Sequence, residues 1–497
     1  MFLGIDVGTF ESKGVLVDRS GAVLAQARRR HGISTPSPGL VEQDAEEVWW
    51  ADVVDIAREL MGHPGTGSID GVGVSAIGPC VVATDERLHP LRPGILYGVD
   101  TRATAQMERI TQRLGAQEIL RRSGNPLTSQ SAGPKIAWIA DEEPEVWSEA
   151  RWFMTSQSYL VAKLTGEVTI DHATAGYFHP LYDLASGEWD TTGCEDFIDS
   201  DRLPRIGWST EIAGAVTAAA SAETGIPVGT PVIFGTTDSP AEAVGAGVIG
   251  EGELMAMYGS SGYFIRVGDR LRTDPRLWSA PFVFPGTYVL AAGTSTAGTA
   301  TRWLADLLDL TDTHDEQTFS RLVALASESE PGARGLLALP HLAGERTPFQ
   351  DPLSRGVLIG LGLQHTRGDV ARAVLEGIGH SIAAALLAFE TAGAAPSRVT
   401  AIGGATRNPF IIGTVSTVTG LTQEIADTDG AAFGDAFLAA LGVGAVDTAE
   451  SVRAWVRVRD TVIPDETAVA RLSADHDDFL SLHHAISPLQ HRRARST

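Results

Sequence analysis

The chain has 497 residues, 43% hydrophobic and 20% charged, which is the make-up of a folded protein with room for two large domains or more, not of a disordered one. Lys and Arg number 38 against 62 Asp and Glu, a net charge of −24 that argues against nucleic acid or an anionic membrane as partner, since both need a basic face. Cys80 and Cys194 make no disulfide framework, the opening Met1-Phe-Leu-Gly-Ile-Asp6 lacks a basic leader, and no apolar run reaches spanning length, so the expectation is a soluble cytoplasmic protein.

In chain order, Phe2-Leu-Gly-Ile5 reads as a buried strand, Asp6-Val-Gly-Thr9 as a turn, Ser12 to Val17 as a second strand and Ala22 to Ala27 as a third. This is a β-meander; a P-loop or dinucleotide fold would pass from its glycine turn directly into a helix. Asp44 to Met61 has the spacing of a helix with Asp44 as cap, and strands at Asp70 to Val74 and Cys80 to Asp85 flank an irregular Ser75 to Pro79. A helical, loop-rich middle runs to about Thr224. Strands then return at Val232 to Gly235, Glu253 to Tyr258, Gly262 to Val267 and Tyr288 to Ala291, with helices after Thr299. The pattern suggests a coarse duplication, Gly4 to Thr9 opening one half and Phe234 to Ser239 the other, with Asp6 and Asp238 facing each other across a cleft. The breakers at Gly225 to Thr230 put the boundary at 228/229, giving domains 1–228 and 229–480 and a basic tail 481–497, frayed and solvated from His491.

Several turns carry chemistry. Asp238 falls where the apolar Pro231 to Phe234 hands over to a helix, a position that suits a catalytic base, although an Asp there taken alone is far more often a helix cap. Asp6-x-Gly8-Thr9-x-x-Ser12-Lys13 gathers a carboxylate, close-approach backbone, two hydroxyls and an ammonium in one hairpin. Such a turn can hold phosphate oxygens, with Asp6 reaching Mg²⁺ through water, and it can equally be a hairpin with a surface lysine. Ile402-Gly-Gly-Ala-Thr-Arg-Asn408, Tyr258-Gly-Ser-Ser-Gly262 and Gly293-Thr-Ser-Thr-Ala-Gly298 are small, polar turns of the same kind.

Gly356-Val-Leu-Ile-Gly360-Leu361, seven residues, then Asp369-Val-x-x-Ala373-Val-Leu-Glu376 resembles in full the C-terminal signature of the FGGY carbohydrate kinases. Leu339-Pro-His-Leu-Ala-Gly-Glu-Arg-Thr-Pro348, Asp351-Pro and Arg355-Gly resemble the block upstream of it. Lys135-Ile-x-Trp138-Ile-x-Asp-Glu142 fits the other signature except at Ala132, where Pro, Ser or Thr is expected. The resemblance runs from Phe2 to about Gly444 and implies an actin-like, RNase H-like ATPase fold: two α/β domains, each a mixed sheet flanked by helices, with ATP and sugar in the cleft between them. It implies that Asp238 is the general base and Asp6 the Mg²⁺-associated acid, and that Gly8, Thr9 and Lys13 form the phosphate hairpin. Ser260 and Gly298 then contact phosphate or ribose, Arg302 the nucleotide, and Gly404 with Asn408 the adenine.

The acceptor is less legible. Glycerol kinases resemble Arg-Glu and xylulokinases Met-His where this chain has Gly78-Pro79, which offers shape and backbone but no side-chain hydrogen bond. Asp100, in Tyr97-Gly-Val-Asp-Thr-Arg-Ala103, is expected to accept from sugar hydroxyls, with a structural pair to Arg102 as the other reading. Likeness to the xylulokinase branch implies a ketopentose such as D-xylulose. Other ketoses, polyols or gluconate remain within the same reaction, and an actin-like nucleotide-dependent sugar sensor without turnover is the alternative of another class. The expected partners are ATP, Mg²⁺ and a small sugar, and a homodimer is compatible with this reading.

Overall fold

The computed structural model describes residues 1–311, 315–428 and 430–494. The expected meander is present as β1 (Phe2–Val7), β2 (Glu11–Val17) and β3 (Val23–Arg30), paired antiparallel. Asp44 caps the next segment, its carboxylate accepting from the Glu46 and Glu47 amides. One π-helical turn, Ala45–Trp50, leads into α1 (Ala51–Met61), which buries Val53, Ile56, Ala57 and Leu60. The sheet continues with β4 (Gly71–Ala76), parallel to β1, then with β5 (Ile212–Ala215), β6 (Pro231–Ile233) and β7 (Thr236–Thr237), in the order β5-β6-β4-β1-β2-β3 with β7 also on β4. The loop-rich middle lies between β4 and β5 and packs its own apolar cluster around Ile136, Phe153, Phe178 and Tyr182.

The second sheet repeats this plan. It comprises β8 (Glu253–Tyr258), β9 (Gly262–Gly268), β10 (Trp278–Pro281), β11 (Tyr288–Thr294), β12 (Arg398–Ile402), β13 (Gln423–Asp427) and β14 (Arg457–Val462), ordered β10-β11-β9-β8-β12-β13-β14. In both sheets a meander is followed outward by parallel strands, the mixed-sheet duplication that the resemblance implies.

The register of that duplication differs from expectation. Thr236 and Thr237 pair in parallel with Ser75 and Ala76, and Val232 pairs with Val72, so the stretch from Pro231 to Thr237 closes the first sheet and does not open the second. The expected break at 228/229 therefore cuts through the first sheet. The counterpart of the Val7 to Glu11 turn is Tyr258 to Gly262, between β8 and β9. The error has a physical source: a short apolar run before a glycine looks the same at the end of a sheet as at its start.

Four of the helices connect or flank the lobes: α2 (Asp238–Gly245), α3 (Gly298–Leu307), α4 (Arg367–Thr391) and α5 (Pro409–Thr419). Two more follow, α6 (Ala431–Gly442) and α7 (Val469–Ala494). Helix α6 returns to the first lobe and lies against β1, β4 and α2. It sits there almost backbone to backbone: a Cβ at Gly4 would be 1.9 Å from the Ala432 carbonyl oxygen, and one at Gly73 2.2 Å from that of Asp435. Helix α4 is long and apolar enough to cross a bilayer by length and composition, which the sequence reading overlooked, and 83% of its apolar window is buried inside the protein. The tail expected to fray is helical as far as Ala494: His491 Nε2 lies 2.9 Å from Asp351 and the Gln490 amide donates to the Arg355 carbonyl. Residues 495–497 lie outside the described residues.

Candidate active site

The strand order explains why two distant aspartates meet. Asp6 is near the end of β1, Ser75 lies beside it on β4, and Thr236 lies beside Ser75 on β7. Asp238 follows β7 at once, so both acids emerge from the same edge of the first sheet with one strand between them. They do not face each other from opposite sheets, as the expected duplication implied. Both line a cavity of about 460 Å³.

Asp238 is not an ordinary cap. Thr237 holds the N-cap position of α2, and Asp238, one residue on, uses Oδ1 to accept from the Ser239 amide at 2.7 Å. Burial and then the charge of Asp6 push its carboxyl up to about 8. Glu242 is one helical turn further along α2, also lines the cavity, and is pushed up to about 7 by burial and by Asp6. Burial takes Asp6 itself up to about 6, opposed by the Ser75 hydrogen bond and by Lys13. A group poised near neutrality and facing a cavity is the ordinary condition of a general base.

Gly8, Thr9 and Lys13 line the same cavity. A Cβ at Gly8 would be 2.6 Å from the Glu11 carbonyl oxygen, so the hairpin closes only with glycine there. The hairpin is braced from behind: His31 bridges the Gly8 carbonyl oxygen and Asp52, and Ser12 donates to Asp52 at 2.6 Å. Ser12 therefore turns away from the cavity, and of the two hydroxyls counted in the motif only Thr9, 3.1 Å from the Tyr97 hydroxyl, remains there.

A second cavity of about 930 Å³ adjoins the first across the Tyr258 to Gly262 turn, since Ser261 lines one and Ser260 the other. Gly298, Arg302 and Gly404 line it too, facing the less polar Phe319, Leu322 and Val323. The Gly259 and Ser260 carbonyl oxygens accept from the Gly298 and Thr299 amides, which fixes the turn to the start of α3. A Cβ at Gly404 would meet nothing within 4 Å, so this backbone is open to a flat ligand. An apolar slot with a hydroxyl- and glycine-lined mouth suits a purine with phosphates leading toward the first cavity.

Three expected site residues, Asp100, Asn408 and Pro79, do not line the cavities expected of them. Asp100 is 1% exposed; it accepts from the Val41 amide at 2.6 Å and from the Arg102 guanidinium at 2.7 Å, and Arg102 in turn reaches Glu42. Its oxygens are committed to that buried network and it does not line the first cavity, so the expected sugar contact is replaced by the structural pair. Asn408 caps α5, accepting from the Phe410 and Ile411 amides, and does not line the nucleotide cavity. Gly78 does line the first cavity and Pro79 does not; a Cβ at Gly78 would be 2.2 Å from Thr237 Cγ2, so no side chain fits there.

The first cavity gains residues that sequence reasoning did not single out: Gln130, Tyr177, Ser239, Tyr263, Trp278 and Arg346. Arg346 belongs to the block noticed upstream of the C-terminal signature, and Ser239 adjoins Asp238, so both carried a signal. Tyr177 and Trp278 sit in loops and strands with no motif, and only the fold brings them in. Trp138, Trp147 and Trp152 do not line the cavity; Arg102 stacks over Trp138 and Arg202 over Trp147.

Comparison with known proteins agrees with this geometry. The N-terminal domain of the FGGY family of carbohydrate kinases matches residues 1–245 and its C-terminal domain residues 254–443. The chain is 31% identical to a xylulose kinase of Staphylococcus epidermidis over 93% of this chain and 92% of that one, and 29% identical to a gluconokinase of Bacillus subtilis over 82% and 80%. It superposes on the crystal structure of xylulose kinase from Rhodospirillum rubrum with a TM-score of 0.90 at 31% identity, covering 98% of this chain and 99% of that one. With a mixed sheet repeated in each lobe, a partly buried Asp238 on the first cavity and a nucleotide-shaped cavity beside it, this chain belongs to the FGGY family of carbohydrate kinases and is a phosphotransferase that moves phosphate from ATP to a sugar hydroxyl.

Proposed function

We propose that the acceptor is a ketopentose such as D-xylulose and that Asp238 is the general base. The observation that supports the base most directly is Asp238 itself, pushed up to about 8 and facing a cavity of about 460 Å³, while likeness to xylulose kinases supports the acceptor. In this reading the sugar hydroxyl gives its proton to Asp238 as it approaches the γ-phosphoryl group, and Thr9, Lys13 and the Ser260 turn align the phosphates. The open face at Gly404 receives the adenine, with Gly298 and Arg302 along the nucleotide. Closure of the lobes excludes water and limits idle hydrolysis.

The residues present fit Mg²⁺. Asp6, Asp238 and Glu242 crowd around the cavity with Lys13 and Arg346 as the cations that line it, so a divalent cation entering with the phosphates would offset uncompensated negative charge. Among the described residues no cluster of three or more ligating side chains is arranged to hold a metal alone, which suits a largely hydrated ion held through water by Asp6. When bound, Mg²⁺ would supply charge neutralisation on the phosphates.

Arg346 supports a second acceptor. Its guanidinium lines the cavity and is largely buried, and a fixed cation suits an aldonate such as gluconate. The sensor reading has no support left, because the family is one of enzymes. The unpaired, buried Cys80 and Cys194 support a reducing, cytoplasmic setting. The test is coupled ADP release with Mg-ATP against ketopentoses, ketohexoses, polyols and aldonates, with Asp238→Asn as blank. A signal with D-xylulose that the variant loses supports the proposal; a signal confined to gluconate replaces it with the second reading.

A further inference from the structure

Behind Asp6, and apart from Asp238 and Glu242, lies a further carboxyl that the reaction as described does not use. Asp435, on α6, is 0% exposed, and Ser75 Oγ lies 2.6 Å from its Oδ2 and 3.0 Å from Asp6 Oδ1. A serine hydroxyl has one proton, so it can donate to only one of two carboxylates. The other contact needs a proton of its own, carried by a carboxylic acid. Asp6 lines the cavity beside Lys13, whose charge partly opposes the effect of burial on it. Asp435 has less relief: among the described residues its Oδ1 has no hydrogen-bond partner, and only hydrogen bonds from Ser75 oppose the effect of its burial.

We propose that Asp435 is a neutral carboxylic acid that donates to Ser75, so that the single proton of Ser75 is directed onto Asp6, making Asp435 a positioning residue for the cavity acid. Burial, and then the charges of Asp6 and Asp238, hold the Asp435 carboxyl well above the usual carboxylate range, which agrees with this direction of donation. The packing explains why the contact is short and fixed. The α6 backbone lies flush on β4 at Gly73, so an aspartate side chain there has Ser75 within reach. Each bond in such a chain strengthens the next. The N-terminal end of the same helix, with Gly430 and Ala431, lines the cavity, so α6 contributes both to the wall of the site and to the support of Asp6.

The inference rests on the reading of Asp6 as the acid beside the Mg-nucleotide. Ser75→Ala is expected to lower kcat about tenfold and Asp435→Ala several-fold, by about the worth of a hydrogen bond to a charged group. Asp435→Asn, neutral at every pH and still able to donate through Nδ2, is expected to rescue the loss to within about twofold of wild type. In the Ser75→Ala background, Asp435→Ala is expected to add less than about twofold, because the two act as one unit. A readout independent of turnover is the infrared difference spectrum of wild type minus Asp435→Asn at pH 8.5, expected to contain the carbonyl stretch of a carboxylic acid. A spectrum showing only carboxylate bands, an Asp435→Asn as impaired as Asp435→Ala, or an additive double variant would each overturn the proposal. The two failures separate through Asp6→Asn: normal turnover in that variant removes the role of Asp6 and this proposal with it, whereas a dead Asp6→Asn beside an additive cycle removes this proposal alone.

Discussion

Asp238→Asn tests the proposed base in two independent ways. It removes the proton acceptor and almost no volume, so kcat should fall by about 10²- to 10⁴-fold while ATP is still bound. The second effect is on stability. The Asp238 carboxyl is raised from 3.8 to about 8, so its contribution to stability is fully present below the ordinary Asp value and is lost as the pH rises through about 8. An asparagine carries no such dependence. The advantage of Asp238→Asn over wild type should therefore grow between about pH 5 and pH 8 and level off above. At about 1.4 kcal/mol per pKa unit the upper bound over that interval is about 4 kcal/mol, and the partial exposure of the side chain screens it to about 2 kcal/mol. That corresponds to a Tm difference of about 3 °C or more opening between those pH values. The assay is thermal unfolding of both proteins at pH 5, 6.5, 8 and 9 without ligand, together with coupled ADP release. Parallel Tm curves would refute the strained acid, and near-normal turnover would refute the base.

Gly404→Val should weaken ATP binding about tenfold or more while leaving sugar binding and Tm unchanged, because a side chain there meets no protein atom within 4 Å; nucleotide titration checks this. Asp100→Asn should lower stability by about 3 kcal/mol by breaking the buried pair with Arg102 and leave the KM for sugar unchanged, as unfolding and kinetics on one preparation will show. Gly78→Ala should push Thr237, the residue before Asp238, and lower kcat about tenfold or more, since its Cβ would fall 2.2 Å from Thr237 Cγ2. The acid limb of kcat/KM should lie near pH 8 at low Mg²⁺ and move to lower pH as Mg²⁺ is raised, because the cation favours the ionised acid; a limb that ignores Mg²⁺ would contradict the shared site.

Much of this protein was legible in the residues themselves. The opening meander, the cap at Asp44, the strand and helix around Gly403 and the glycine-rich turns follow from local preferences, and these act over a few residues wherever they occur. The long signature from Gly356 to Glu376 identified the family, and with it the roles expected of Asp6 and Asp238. Only the tertiary structure decided which sheet receives Pro231 to Thr237, because an apolar run before a glycine carries no mark of its partner, and Val72 and Ser75 supply that partner from far along the chain. The same holds for the charges. The sequence left Asp100 between a sugar contact and a pair with Arg102, and the fold buries it in that pair; nothing in the sequence marks Asp435, which α6 presses onto Ser75. A side chain's chemistry is written in its type, whereas its pKa, its partners and the cavity it faces depend on what long-range packing brings within a few ångströms.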